Sequence, residues 1–94
     1  MELEWDEDKR QDALNERGLD FADFQRIEFD TLRTWQDFRN NYGEPRFMSY
    51  AYLDDRLHAF CWTRRGSKIR IISMRKANGR ECTRYEAGED PRHA

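Results

Sequence analysis

From Phe47 to Met74 the chain alternates three apolar runs, aromatic in the first two and β-branched in the third, with two short polar turns, Asp54-Asp55 and Arg65-Gly66-Ser67. Connections this short join antiparallel neighbours, so Phe47–Leu53, Leu57–Thr63 and Lys68–Met74 are predicted to be consecutive strands of one meander. The third run is the most constrained. Ile69, Ile71 and Ile72 put branched apolar residues on both faces, as a strand covered on both sides requires. Arg70, Arg75 and Lys76 are then charges that the fold must pair or use. Thr31 to Phe38 has the composition of a further strand, set off by the turn signal Asn40-Asn41-Tyr42-Gly43-Glu44-Pro45.

Helix signals flank this sheet. Asp6 offers a cap to a helix from Glu7 to Arg17, acidic in its first turn and closed by Gly18. Asp20 caps a second short helix whose apolar face is Phe21, Phe24 and Ile27. Asn78-Gly79-Arg80-Glu81 has the form of a capping box, opening a terminal helix to about Ala87 that Gly88 stops. Leu3-Glu4-Trp5 is either a short extra strand or an extended anchor. The expected fold is α+β, with two N-terminal helices, a four-stranded mainly antiparallel sheet, with or without that N-terminal strand, and a C-terminal helix. Residues 1–88 form one domain, and 89–94 read as a frayed, disordered tail carrying Pro91 and His93.

Charge is unevenly distributed. Residues 1–45 hold thirteen acids and six bases, whereas 46–94 hold six acids and eleven bases; within 56–84 nine Arg or Lys residues face a single acid, Glu81. Such a stripe either pairs with the acidic first half or attracts phosphates, since recognition follows the local field and not the net charge of -2. Cys61 and Cys82 form neither a metal-ligand set nor a disulfide framework, so reduced thiols in a cytoplasmic protein are expected, with no metal and no cofactor. No apolar run has the length of a membrane span, and the acidic start is unlike a signal peptide.

The residues Glu4-Trp5-Asp6 with Lys9, Gly18-Leu19 and Phe21, and the loop Tyr42-Gly43-Glu44 with Arg46-Phe47 occur in an order met in one known family. Thr63, Gly66, Arg70-Ile71-Ile72-Ser73, Arg75-Lys76-Ala77, Glu81 and Tyr85 continue it. The chain resembles the BrnT-type toxins of bacterial type II toxin–antitoxin pairs. The resemblance implies a small ribonuclease with a RelE-like fold, an RNA substrate, and a cognate BrnA-like antitoxin, with a complex of two toxins and two antitoxins as one assembly. Ala13 stands where the family usually has Asn, Glu16-Arg17 where it has Lys-His, and Arg64 where an acid is common. Arginine cannot serve as a base near neutral pH, although it binds phosphate, so a catalytically degenerate homologue acting as an antitoxin- or RNA-binding module is the alternative.

A ribonuclease working without metal removes a proton from the 2′-hydroxyl, stabilises a negative phosphorane, and protonates the departing 5′-oxygen. The chain is rich in the fixed cations that the middle task needs. Arg46, Arg70 and Arg75 are the expected phosphate or transition-state contacts, with Lys9, Arg17 and Glu44 in positioning or proton transfer. Lys76, Arg64, Arg80 and Tyr85 are the expected RNA contacts. Each has a plain structural alternative. Arg70 would pair with an acid such as Asp6, Glu81 would cap its helix, Tyr85 would pack in the core, and Glu44 would be a solvated loop carboxylate. His58, in register with Phe60 and Trp62, reads as a packing residue first. Tyr50, Tyr52 and Trp62 would either stack on bases or fill a half-buried sheet.

Overall fold

A computed structural model describes residues 2–39 and 43–92. Five strands form one mixed sheet: β1 (Glu2–Trp5), β2 (Arg33–Asp37), β3 (Arg46–Leu53), β4 (Arg56–Arg65) and β5 (Lys68–Lys76), in the spatial order β1-β5-β4-β3-β2. Helix α1 (Glu7–Arg17) follows β1, and α2 (Gly79–Glu86) follows β5.

The expected two-helix, four-strand arrangement is therefore wrong in two places. β1 is a full member of the sheet, parallel to β5, with Glu2 opposite Lys68 and Trp5 opposite Ile71. Its alternate acids meet the alternate bases of β5, Glu2 with Lys68 at 3.7 Å and Glu4 with Arg70 at 3.8 Å. The second error is the helix after Asp20, which is a 3-10 segment, Phe21–Arg26, followed by a 3-10 turn at Phe29–Thr31. Phe21, Phe24 and Ile27 recur every three residues, a period that keeps an apolar stripe on one side of a three-residue turn and lets it drift around an α-helix.

Local signals act as their chemistry dictates. Asp6 accepts from the amides of Asp8 and Lys9, and Gly18 closes α1 at φ 68°. The β3–β4 hairpin turns on Asp54 and Asp55, both left-handed at φ 51° and 63°. Asp tolerates that region less well than Gly, so Asp55→Gly should raise stability by about 0.5 kcal/mol, read from urea denaturation.

Two apolar layers hold the sheet. On the back, Phe21, Phe24 and Ile27 pack with Ala13 of α1 onto Ala51, Leu53, Phe60, Ile71 and Met74. Phe24 meets Phe60 edge-on at 4.9 Å, and each such buried ring contributes roughly 1.5–3 kcal/mol. On the front, α2 lays Tyr85 over Tyr50, Leu57, Ala59 and Ala77. α2 covers only part of that face, and what it leaves open becomes the site.

A bulge decides which residues share the open part. Cys61 pairs with Ser73 but Trp62 with Ile71, so Ile72 is an extra residue in β5. Arg70 and Arg75, five apart, would face opposite ways in a regular strand. With the bulge, Arg70 lies opposite Thr63 and Arg75 opposite Ala59, and both point to the front.

The expected frayed tail is packed as far as it is described. Pro91 is fully buried, Arg84 donates to its carbonyl at 3.3 Å, and Arg92 donates to the Gln36 carbonyl on the edge strand β2 at 3.1 Å. His93, and the turn residues Asn40, Asn41 and Tyr42, lie outside the described residues.

Candidate functional site

At the start of α2 the capping box forms as its sequence requires: Asn78 accepts from the Glu81 amide, and Glu81 accepts from the Asn78 amide at 2.9 Å. The same Glu81 carboxylate takes both terminal nitrogens of Arg75, at 2.7 and 2.8 Å, and the Tyr50 hydroxyl. Arg75, the first cause, together with these other donors, holds its pKa at about 2 despite burial. Burial, reinforced by the hydrogen bond to Glu81, pushes the Tyr50 phenol upward. Glu81 is thus a fixed anion that orients Arg75, and a poor proton acceptor at neutral pH.

Beyond this cluster the front face opens into a cleft of about 320 Å³ lined by Asp37, Arg39, Tyr50, Cys61, Arg75 and Arg92, among others. Two of its arginines are held by one device used twice. In Asp37-Phe38-Arg39 the buried aspartate accepts from the Arg39 amide at 3.0 Å and from Nε and Nη2 at 2.9 Å each. In Asp90-Pro91-Arg92 the matching bonds are 2.9, 3.1 and 2.7 Å. Each guanidinium is locked by a carboxylate two residues earlier in the chain, the bidentate geometry that fixes an arginine fork. Arg46 stands across from Asp37 in the β2–β3 register, close enough for its charge to act on the Cys61 thiol. Burial nevertheless raises that thiol, which stays protonated at neutral pH.

The residues singled out from sequence separate into those the fold gathers and those it disperses. Arg46, Arg70 and Arg75 share the front face, with Arg70 paired to Glu4 and not to Asp6. Lys76, next to Arg75, belongs to the opposite face and lines a groove with His58, Asp54 and Arg56. Arg64 is exposed with Ile69 as its cross-strand partner, again on the back. Lys9 and Arg17 lie along α1 in a separate groove of about 280 Å³ that meets the cleft only at Ser73. Arg17 donates to the Met74 carbonyl at 3.0 Å, covering the stretch of β5 edge that β1 leaves bare. Glu44 is tied to Arg65 at 3.1 and 3.3 Å, off the cleft. Arg80 is exposed on the outer side of α2, with Gly79, Thr83 and Arg84.

The aromatic residues are packed. Tyr85 is buried, donates to the Thr31 carbonyl, and carries the Arg33 guanidinium 4.2 Å above its ring. Tyr52 meets Tyr85 edge-on at 5.8 Å, and Trp62 stacks on Phe47 at 4.7 Å while donating to Ser49. His58 is buried, with its pKa lowered by desolvation, and its Nδ1 lies 2.8 Å from the Arg56 carbonyl. Sequence reasoning missed Asp37, Arg39, Asp90 and Arg92. Their only signal was the Asp-X-Arg triplet, a weak one, because the chain has four of them, at 8–10, 37–39, 54–56 and 90–92.

Among the described residues no group of three or more His, Cys, Asp or Glu is placed to hold a metal, and no helix is long and apolar enough to cross a membrane. A small α+β domain whose front sheet face carries oriented arginines is equipped to handle phosphate, and residues 5–81 match the ribonuclease toxins of type II toxin–antitoxin systems. The chain belongs to that family, BrnT. An antitoxin partner goes with membership. No curated protein matches the chain.

Proposed function

We propose that this chain is a metal-independent endoribonuclease that binds the scissile RNA phosphate in the front-face cleft. The observation that carries this is the convergence of Arg39, Arg75 and Arg92 on one cleft, each held by its own carboxylate, with Arg46 and Arg70 on the same face. The 2′-oxygen attacks phosphorus, the bond to the 5′-oxygen breaks, and the products are a 2′,3′-cyclic phosphate and a 5′-hydroxyl. The 2′-hydroxyl proton goes to solvent, and the 5′-oxygen takes one from solvent. The arginines stabilise the phosphorane, a charge-stabilising role for which preorganised donors suffice. Ion pairing does not remove this capacity, because a guanidinium has five N–H groups and a carboxylate fork occupies two. Lys9, in the groove that shares Ser73 with the cleft, is a positioning residue for the RNA backbone, and Lys76, Arg64 and Arg80 add only long-range, salt-sensitive attraction.

In the cytoplasm a BrnA-like antitoxin would hold the enzyme inactive by covering this face, and a two-to-two complex would cover two such faces. A second reading, a module that binds RNA or antitoxin without cutting, draws on one observation: Glu81 is pushed to about 2, while Tyr50 and Cys61 move upward, away from neutrality.

Variants separate the cleft from the rest of the surface. Arg39→Ala, Arg46→Ala and Arg92→Ala should each slow cleavage of a single-stranded RNA by about 10- to 100-fold. Arg56→Ala, exposed on the back face, should change it less than about twofold, since long-range charge is screened. Equal losses at Arg56 and at the cleft positions would remove the cleft as the site.

A further inference from the structure

The two Asp-X-Arg devices differ in their middle residue. Pro91 is fully buried, whereas Phe38 is 79% exposed, the most exposed large apolar side chain among the described residues. The locking of Asp37 and Arg39 to each other leaves the Phe38 ring outside the pair. That ring lines a second cavity, of about 430 Å³, together with Gln36, Arg39, Asp90 and Arg92. Arg39 and Arg92 also line the phosphate cleft, so the two cavities lie on either side of shared arginines. An apolar ring thus stands one step beyond a set of oriented cations.

That juxtaposition suits one chemistry. An unpaired nucleotide presents a flat aromatic base a short distance from its phosphate, and proteins that bind single strands pair a cationic track with an aromatic platform. We infer that Phe38 is the stacking platform for an unpaired nucleobase next to the scissile phosphate. This rests on the cleft being the RNA phosphate site, and it assigns a base recognition that the cleft lacks among the described residues, since Tyr50 and Tyr85 are buried within the fold and Tyr52 and Trp62 pack on neighbouring rings. Substitution at an exposed ring leaves the core intact, so Phe38→Ala is expected to fold as the parent does.

The test is fluorescence anisotropy of the full chain with a short labelled 2′-O-methyl oligonucleotide, which cannot be cut, and with the same backbone made abasic. Phe38→Ala should weaken binding of the base-bearing strand by roughly 5- to 100-fold. It should leave the abasic strand bound as by the parent, and Phe38→Trp should restore the loss. Equal affinity of parent and Phe38→Ala for the base-bearing strand overturns the subsite and leaves the phosphate site standing. Parallel weakening of both strands also overturns it. If Phe38→Ala binds RNA as the parent does but no longer binds the cognate antitoxin, the ring belongs to the protein interface, and the subsite is likewise overturned. A parent that binds neither strand overturns both the subsite and the proposed function.

Discussion

Arg75→Ala should slow RNA cleavage by about 10²- to 10³-fold, the loss typical of removing one preorganised transition-state donor. Arg75 stands on the front face opposite Ala59, and Glu81 fixes both of its terminal nitrogens. Truncation also leaves Glu81 without its cation, so part of any loss would come from the fold. Arg75→Lys separates the two effects. Lysine keeps a positive charge beside Glu81 but cannot form the planar fork, so that variant should fold and still cut at least about tenfold more slowly than the parent. Parent-like cleavage by Arg75→Ala would remove Arg75 from the site while leaving the activity to be explained by the other arginines.

Glu81→Gln should cost about 3 kcal/mol at neutral pH, a large fraction of the stability of a domain this size. The folded pKa of about 2 lies below the ordinary 4.5, so the carboxylate's stabilisation is fully present above pH 4.5 and is lost as pH falls through that range toward 2. Urea denaturation of parent and Glu81→Gln across this interval should show their difference shrinking as acid is added. A difference that stays constant from pH 5 to pH 2 would mean that Glu81 is not the anion described. Complete truncation, Glu81→Ala, should be harsher, because it also leaves Arg75 and Tyr50 without their partner.

What could be read from the sequence was whatever a few neighbouring residues decide. Asp6 and Gly18 bound α1, Asn78 and Glu81 form the capping box, and the short turns set the order of β3, β4 and β5, because each signal is complete within a handful of residues. The parallel pairing of β1 was less visible, since its partner lies more than sixty residues away and four residues carry little pattern of their own. The matching alternation of Glu2 and Glu4 with Lys68 and Arg70 was the available clue. The bulge at Ile72 was hidden, because a run of isoleucines shows no break in period, yet it decides that Arg70 shares a face with Arg75. Lys76 was expected to work beside Arg75, but consecutive strand residues point to opposite faces. Arg39 and Arg92 were overlooked for a different reason. One lies just past the end of β2 and the other in a segment read as a tail, and only the fold shows that two of the four Asp-X-Arg triplets converge on one cleft.

The central claim is that this arginine-lined face cuts RNA with no metal. The most direct measurement incubates the purified chain with single-stranded RNA in EDTA and maps both ends of every fragment. Cleavage should proceed undiminished by the chelator and leave 2′,3′-cyclic phosphate and 5′-hydroxyl ends. No cleavage above a buffer control, or cleavage that EDTA abolishes, would contradict it.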